Sequence, residues 1–383
     1  MIREFTWDTA RTWAEISLGN LEHNYRALRA CAPNSKFLAT VKANAYGHGA
    51  VPMAKRLVEL GTDYLAVACL DEAAGLRQAG ITAPVLILGY TPPGLAGELV
   101  ELDITQTVFT PELAKALSAA AGAAGKRAKI HLKADTGMSR LGVLSQDPNQ
   151  AASDLAALCA LPHLEPEGIF THFSVSDEEG EDSEGYTMLQ FTRFLDVLDR
   201  LKSAHGLEFE IRHCANSGAV LNYPCTHLDM VRPGIALYGH YPDPSCEGLD
   251  GPGLRPVMSL YSRVAAVREL PENTPISYGR TETAGRGGGR IAILPVGYAD
   301  GLHRSLSNES SVWLDGECRP IMGRICMDMC MVGLDSAANV KPGDVAEVFG
   351  EHLPVEWQAK TAGTISYELL CAVAPRVPRL YLD

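Results

Sequence analysis

Between Lys36 and about His240, short apolar runs rich in β-branched residues alternate with longer stretches whose apolar residues recur at helical spacing. That alternation marks repeated βα units on a parallel sheet. Eight runs can be counted: Phe37 to Val41, Tyr64 to Ala68, Val85 to Leu88, Thr105 to Phe109, Lys129 to Leu132, Glu167 to Phe170, Glu208 to His213 and Leu228 to Val231. The stretches between them include Asp71 to Ala79, Pro111 to Ala124 and Tyr186 to Ala204; the first two open on an acidic residue or a proline, as helices do. Eight such units predict a TIM (β/α)8 barrel.

The pattern changes after Pro242. Tyr241 to Pro256 is rich in Pro, Gly and Asp, the composition of a linker. Beyond it the strand-like pieces Met258 to Val267, Arg290 to Leu294, Ser311 to Leu314 and Val345 to Phe349 are separated by turn residues, with one helical run near Ser366 to Val373. The chain is therefore α/β, with a barrel over residues 1–245 and a mostly β C-terminal domain over 246–383. Roughly the first 12 residues are open to packing with the C-terminal domain. Gly285-Arg286-Gly287-Gly288-Gly289 lies between two strand-like runs with no Lys-Ser/Thr after it, so it predicts a hairpin turn and not a phosphate loop.

Composition narrows the function. A chain of 383 residues, 46% hydrophobic and 21% charged, buries a large core. Its formal charge of -13 is spread along the sequence, and nucleic-acid binding would need a basic face instead. The start lacks a signal-peptide pattern and no run approaches a bilayer span, so a cytoplasmic enzyme of a small molecule is expected, away from nucleic acid and membrane. The ten cysteines stand singly, and the closest pair, Cys326 and Cys330, lacks the two-residue spacing of a zinc knuckle or redox pair, so no metal is expected. Asn308-Glu309-Ser310 has the form of a glycosylation acceptor but no secretory context, and the acidic run Asp177 to Asp182 predicts a solvated loop.

In a barrel of this kind the chemistry gathers where strands end. Lys42 ends the first strand, Arg140 follows the fifth, His172 ends the sixth, Asn216 and Ser217 follow the seventh, and Arg232 ends the eighth. Each alone has a structural explanation, since a barrel-mouth cation can pair with a carboxylate and a lone histidine can be a satisfied core residue. Together on one rim they point to an anionic ligand. Asn216-Ser217-Gly218 opening a short helix offers amides and a helix dipole to a phosphate. A lysine beside other cations has a lowered pKa and can form a Schiff base with an aldehyde. An anionic cofactor aldehyde satisfies both demands.

The string Val41-Lys42-Ala43-Asn44-Ala45-Tyr46-Gly47-His48-Gly49 closely resembles the pyridoxal 5′-phosphate (PLP) attachment segment of alanine racemases. Further blocks resemble that family in the same order: His131 to Gly142, Thr171 to Ser174, Ala215 to Ser217, Val231 to Gly239, Ile276 to Arg280, Gly323 to Asp328 and Thr364 to Glu368. Met329 and Gly333 depart from its common residues. The resemblance implies that Lys42 is the Schiff-base lysine, that Tyr46, Ser217, Gly234, Ile235 and Tyr367 hold the phosphate with Asn216 beside them, that His172 lies beneath the ring, and that Arg232 faces the pyridine nitrogen. It implies two catalytic bases, Lys42 for D-alanine and Tyr278 of the partner subunit for L-alanine, in a homodimer with shared sites. His172 is expected to supply a positive neighbour that favours the Tyr278 phenolate. Arg140 would bind the substrate carboxylate, Met327 and Asp328 of the partner would complete the mouth, and Lys133 stands where many members carry a carbamylated lysine. The implied role is supply of D-alanine to peptidoglycan precursors. Two rivals share the Schiff-base lysine: a PLP-dependent amino-acid decarboxylase of the same architecture, and a non-catalytic PLP-homeostasis module, which resembles only the barrel.

Overall fold

The computed structural model describes residues 9–247 and 251–383. Positions 1–8 of the N-terminal expectation and positions 248–250 of the expected linker lie outside the described residues. The chain forms two compact units, one of residues 21–45 and 50–255, the other of the described residues up to Asn20 with 46–49 and 256–383.

The first unit is the (β/α)8 barrel. Its parallel strands are β1 Lys36–Thr40, β2 Tyr64–Val67, β3 Val85–Ile87, β4 Thr105–Val108, β5 Ala128–Asp135, β6 Leu164–Phe170, β7 Ile211–His213 and β8 Met230–Val231. They pair in chain order from β1 to β7, and β8 pairs with β1 through Met230–Lys36 and Val231–Phe37. The seam between β7 and β8 is bridged where the Asp229 amide donates to the Arg212 carbonyl at 3.1 Å and the Arg232 amide to the Ala215 carbonyl at 2.9 Å. Because both faces of such a sheet are covered, strands such as β2 and β3 are continuous apolar runs, whereas β5 alternates, with Lys129, His131 and Lys133 at every second position. Leu38, Ala66, Leu86, Ile211 and Met230 from five strands pack together in one buried cluster.

Local chemistry sets the helices around the barrel. Thr110 caps Pro111–Ala123 by accepting from the Leu113 amide, and Asp147 caps Pro148–Cys159 by accepting from the amides of Asn149 and Gln150. The long helix Glu181–His205 carries Glu181, Asp182 and Glu184 in its first turn and Lys202 and His205 in its last, each sign complementing the helix dipole. Part of the expected acidic loop is therefore helix, and its charges have an electrostatic reason to be there.

The second unit holds a six-stranded sheet in the order Glu317–Pro320, Ser311–Leu314, Val345–Phe349, Met258–Arg263, Thr12–Ser17, Arg379–Leu382, and a three-stranded sheet of Ala266–Leu270, Gly289–Leu294 and Cys330–Leu334. The N-terminal strand runs antiparallel to Met258–Arg263 and parallel to Arg379–Leu382. Two helices, Val355–Ala362 and Ser366–Ala372, stand where one was expected. The glycine run is not a hairpin: it leads from Glu282–Thr283, paired with Pro275–Ile276, into Gly289–Leu294 of another sheet.

Candidate active site

The site is built from the end of β1. The Val41 amide donates to the Ala66 carbonyl at 2.8 Å, and Lys42 follows it out of the barrel. The next four residues, Ala43, Asn44, Ala45 and Tyr46, have φ of 53°, 54°, 54° and 51°, one turn of left-handed helix without a glycine. Such a conformation costs about 1–2 kcal/mol per residue, so the surroundings must hold it. Glu72 does much of this: Oε1 accepts the Ala43 amide at 2.6 Å and Oε2 accepts the Ala68 amide at 2.7 Å. Asn44 Oδ1 accepts the Ala50 amide at 2.8 Å. Gly47 comes next, and a Cβ there would stand 2.1 Å from the Leu370 carbonyl oxygen.

Lys42 opens on a barrel cavity of about 150 Å³ that Lys133, Arg140, His172 and Arg232 also line, with Phe170 among them. Five of the residues read from the sequence are thus brought together, and among the described lining residues there is no carboxylate. The electrostatics follow from that crowding. Burial first, then the charges of Arg140 and Arg232, bring the Lys133 amine down to about 8. Its Nζ and the Arg232 guanidinium each lie 5.2 Å from the Phe170 ring centre, so the π face supplies part of the compensation a carboxylate would give.

Arg232 is buried, at 4% exposure, and burial lowers its pKa to about 10. A buried cation is tolerated only when its donors are satisfied. Nη2 donates to the carbonyls of Thr171 at 3.0 Å and Cys214 at 3.2 Å and to His172 Nδ1 at 3.2 Å; Nη1 donates to His213 Nδ1 at 2.9 Å. The contact fixes the His172 tautomer, because a guanidinium can only donate and the Nδ1 it meets must be unprotonated. Burial and then Arg232, Arg140 and Lys133 hold His172 well below its ordinary pKa. It is therefore neutral, and it offers an Nε2–H donor instead of the positive charge expected from the sequence.

The expected anion-binding residues follow β7 and β8. Asn216 Oδ1 accepts the Ala219 amide at 3.0 Å and the Ser176 hydroxyl at 2.7 Å, so this side chain caps the helix Ser217–Asn222. Ser217 Oγ accepts the amides of Gly234 at 2.8 Å and Ala236 at 3.4 Å, which leaves its own proton to donate. Gly234 and Ile235 are buried, where Gly234 leads into the short helix Ile235–Tyr238. With six residues, the Ser217 helix carries little dipole, and the hydroxyl and individual amides are what an anion would meet.

The remaining expected residues belong to the second unit. The Tyr46 and Tyr367 rings lie 6.0 Å apart, and burial raises the Tyr46 phenol. Tyr278 is 69% exposed. It sits in a strained turn, with φ of 63° at Ser277 and 49° at Arg280, and the Ser277 hydroxyl donates to the Arg324 carbonyl. It lines a separate cavity of about 500 Å³ with Ser277, Ile276, Arg268, Cys326 and Met331. Asp328 accepts from Arg376 Nη2 at 2.7 Å, and Met327 beside it is exposed. Tyr298 meets this segment through its amide, which donates to the Cys326 carbonyl at 3.1 Å.

Reading strand ends missed Glu72, Phe170 and His213. Glu72 was legible only as a surface acid of a helix, and Phe170 as an ordinary strand residue. His213 carried a signal, for it closes an apolar strand run where burial was already expected.

Models of the families described as alanine racemase, N-terminal domain, and alanine racemase, C-terminal domain, match residues 16–242 and 257–381. The chain is 46% identical over 374 residues to an alanine racemase of Desulforamulus reducens, covering 97% of this chain and 98% of that protein. Among solved structures, an alanine racemase from a D-cycloserine-producing Streptomyces lavendulae superposes with a TM-score of 0.92 at 38% identity, covering 99% of this chain and 98% of that one. An alanine racemase from Bacillus anthracis with bound L-Ala-P gives 0.90 at 34% identity, covering 100% and 96%.

Proposed function

The chain belongs to the alanine racemase family, and on that premise we propose that it interconverts L- and D-alanine with PLP held at Lys42 and two bases, Lys42 and Tyr278 of the partner subunit. The observation that carries this reading is the cavity at the start of the left-handed turn, where Lys42 meets Lys133, Arg140 and Arg232 with no lining carboxylate. The residues fit PLP group by group. The Lys42 amine suits the aldehyde, and the Ser217 hydroxyl with nearby amides suits the phosphate, for which the family resemblance adds Tyr46, Gly234, Ile235 and Tyr367. Arg232 has five N–H groups, and its Nε–H carries no hydrogen bond among the described residues, which leaves a donor for the pyridine nitrogen.

When bound, PLP supplies the electron sink that makes the substrate α-proton acidic. The chain's own groups then divide the work. Arg140 binds the substrate carboxylate through paired N–H donors. Lys42 Nζ takes the α-proton of D-alanine on one face and returns a proton there in the reverse direction, while the Tyr278 oxygen of the partner subunit does the same for L-alanine on the other. Neutral His172 donates from Nε2, and Met327 and Asp328 of the partner subunit narrow the entrance. Reduction of the holoenzyme with borohydride followed by peptide mapping is expected to leave the pyridoxyl group on Lys42 alone; a label on Lys133 or another lysine contradicts the assignment.

The exposed Tyr278, Tyr298, Met327 and Met329 give this unit an apolar surface of the kind a homodimer covers. Lys133 carries a carbamate in this reading: once the ammonium has given up one proton, the neutral amine nitrogen adds to the carbon of carbon dioxide and releases a second, so that a cation becomes an anion able to orient Arg140. An amine lowered to about 8 is substantially neutral near that pH and can react. ¹³C-bicarbonate should then give a carbamate resonance that is missing in Lys133→Met, and an unchanged spectrum in the two proteins removes the carbamate from the account. We place the enzyme in the cytoplasm, making D-alanine for peptidoglycan precursors. All ten cysteines are free thiols, and among the described residues no helix is long and apolar enough to cross a membrane.

A further inference from the structure

Inside the barrel a line of hydrogen bonds runs from Arg232 at the cavity to the opposite end. Arg232 Nη1 lies 2.9 Å from His213 Nδ1, His213 Nε2 lies 2.8 Å from His131 Nδ1, and His131 Nε2 lies 3.3 Å from Glu167 Oε2. Tyr64 donates to the same Glu167 oxygen at 2.6 Å, and Lys129 reaches Oε1 at 2.8 Å. Both histidines are fully buried, while the Lys129 side chain is partly in solvent. The path is built into the fold. His131 follows a register shift in β5, opposite Gly168 of β6, where a Cβ would stand 2.6 Å from the imidazole ring. The His213 ring stacks on Phe170 at 4.7 Å and 11°.

The chemistry of the ends fixes every proton between them. Arg232 can only donate, so His213 Nδ1 is an acceptor and the ring's one proton sits on Nε2. That proton points at His131 Nδ1, which is thereby an acceptor too, and the proton of His131 sits on Nε2, facing a carboxylate that can only accept. The reverse order would place a His213 N–H against the Arg232 N–H. Burial, with Arg232 next to it, holds His213 well below its ordinary pKa, and burial lowers His131 despite Glu167. Burial would raise Glu167, but donation from His131, Lys129 and Tyr64 outweighs it and brings the carboxyl down to about 2.

We propose that Glu167, His131 and His213 are positioning residues that act through Arg232: the carboxylate sets the direction of the two-histidine chain and so fixes the guanidinium that serves the cofactor nitrogen. The idea rests on the cofactor reading for Arg232, but the tautomers can be measured without it. In Glu167→Gln, Lys129 keeps the amide oxygen at its own end and turns the NH₂ toward His131. The chain then reverses, and His213 Nδ1–H confronts Arg232. Adding Lys129→Ala frees the amide to turn back.

Side-chain ¹⁵N NMR of histidine-labelled protein, with the rings assigned through His131→Gln and His213→Gln, reads this directly in the PLP-free and PLP-loaded protein. The wild type is expected to show Nε2–H tautomers for both rings. Glu167→Gln is expected to show Nδ1–H tautomers and to retain PLP about tenfold more weakly, the scale of one charge-assisted hydrogen bond. Glu167→Gln/Lys129→Ala is expected to recover both. A wild type with Nδ1–H or doubly protonated rings overturns the proposal even if the variants fail to fold. So does a Glu167→Gln protein with wild-type tautomers and retention, or a loss the second substitution does not repair. A wild type with the expected tautomers that binds no PLP instead refutes the cofactor reading and leaves the chain itself standing.

Discussion

Tyr278→Phe is expected to slow α-proton exchange of L-alanine by about 10²–10⁴-fold, the usual worth of a positioned acid-base group, while D-alanine still exchanges its α-proton with solvent through Lys42. Loss of one hydroxyl from a side chain that is 69% exposed should leave the fold intact, so the asymmetry between enantiomers is the informative quantity. Equal slowing of both would remove Tyr278 as the base for one face. The same variant tests whether the base comes from a second subunit. A dimer of one Lys42→Ala chain and one Tyr278→Phe chain has one site with neither base and one with both if Tyr278 acts across the interface. Mixing the two inactive proteins after partial unfolding and refolding should therefore restore activity. If each site is built from a single chain, no mixture recovers.

The second large effect is expected from Arg232→Glu. An arginine donates a hydrogen bond to a pyridine nitrogen without protonating it, which keeps bound PLP a modest electron sink. A carboxylate there would raise the basicity of that nitrogen by about 1–3 pKa units. The ratio of transamination to racemisation should then rise at least about tenfold as racemisation falls. An unchanged ratio would mean that Arg232 does not control the cofactor's electronics. The substitution also replaces the donor that His213 Nδ1 accepts from, so its histidine ¹⁵N spectrum should change with the ratio.

Much of the barrel was legible because short strand-like runs alternate with helical stretches, and all eight runs stand in the sequence, although only strands such as β2 and β3 are continuously apolar. The second unit was harder. Its central sheet joins Thr12–Ser17 to Arg379–Leu382, and no local pattern relates segments so distant in the chain. Val355–Ala362 escaped because Glu356, Lys360 and two threonine or glutamine positions blur a helix of only eight residues. The left-handed turn after Lys42 was not readable as a turn: Asn44 alone favours that conformation, Ala43, Ala45 and Tyr46 do not, and Glu72 and Asn44 hold it through their side chains.

For the site, the rule that chemistry gathers at strand ends found Lys42, Arg140, His172 and Arg232, which the structure brings to one cavity. The same rule overlooked His131 and Glu167, which lie within strands. The available signal was alternation. Lys129, His131 and Lys133 occupy every second position of β5, so one face of that strand is polar from end to end. Asn216, which the same rule picks out, caps its own helix with its side chain.

The account is tested most directly by incubating the purified protein with PLP and each enantiomer of alanine, and of serine, in deuterated water while chirality and α-deuterium are followed together. Serine is included because one added hydroxyl is only weakly rejected by a pocket not built to exclude it. The expected result is that L- and D-alanine each become the racemate and that the enantiomer formed carries solvent deuterium at the α-carbon, with no carbon dioxide released. Release of carbon dioxide, or bound PLP without turnover of either enantiomer, would contradict it.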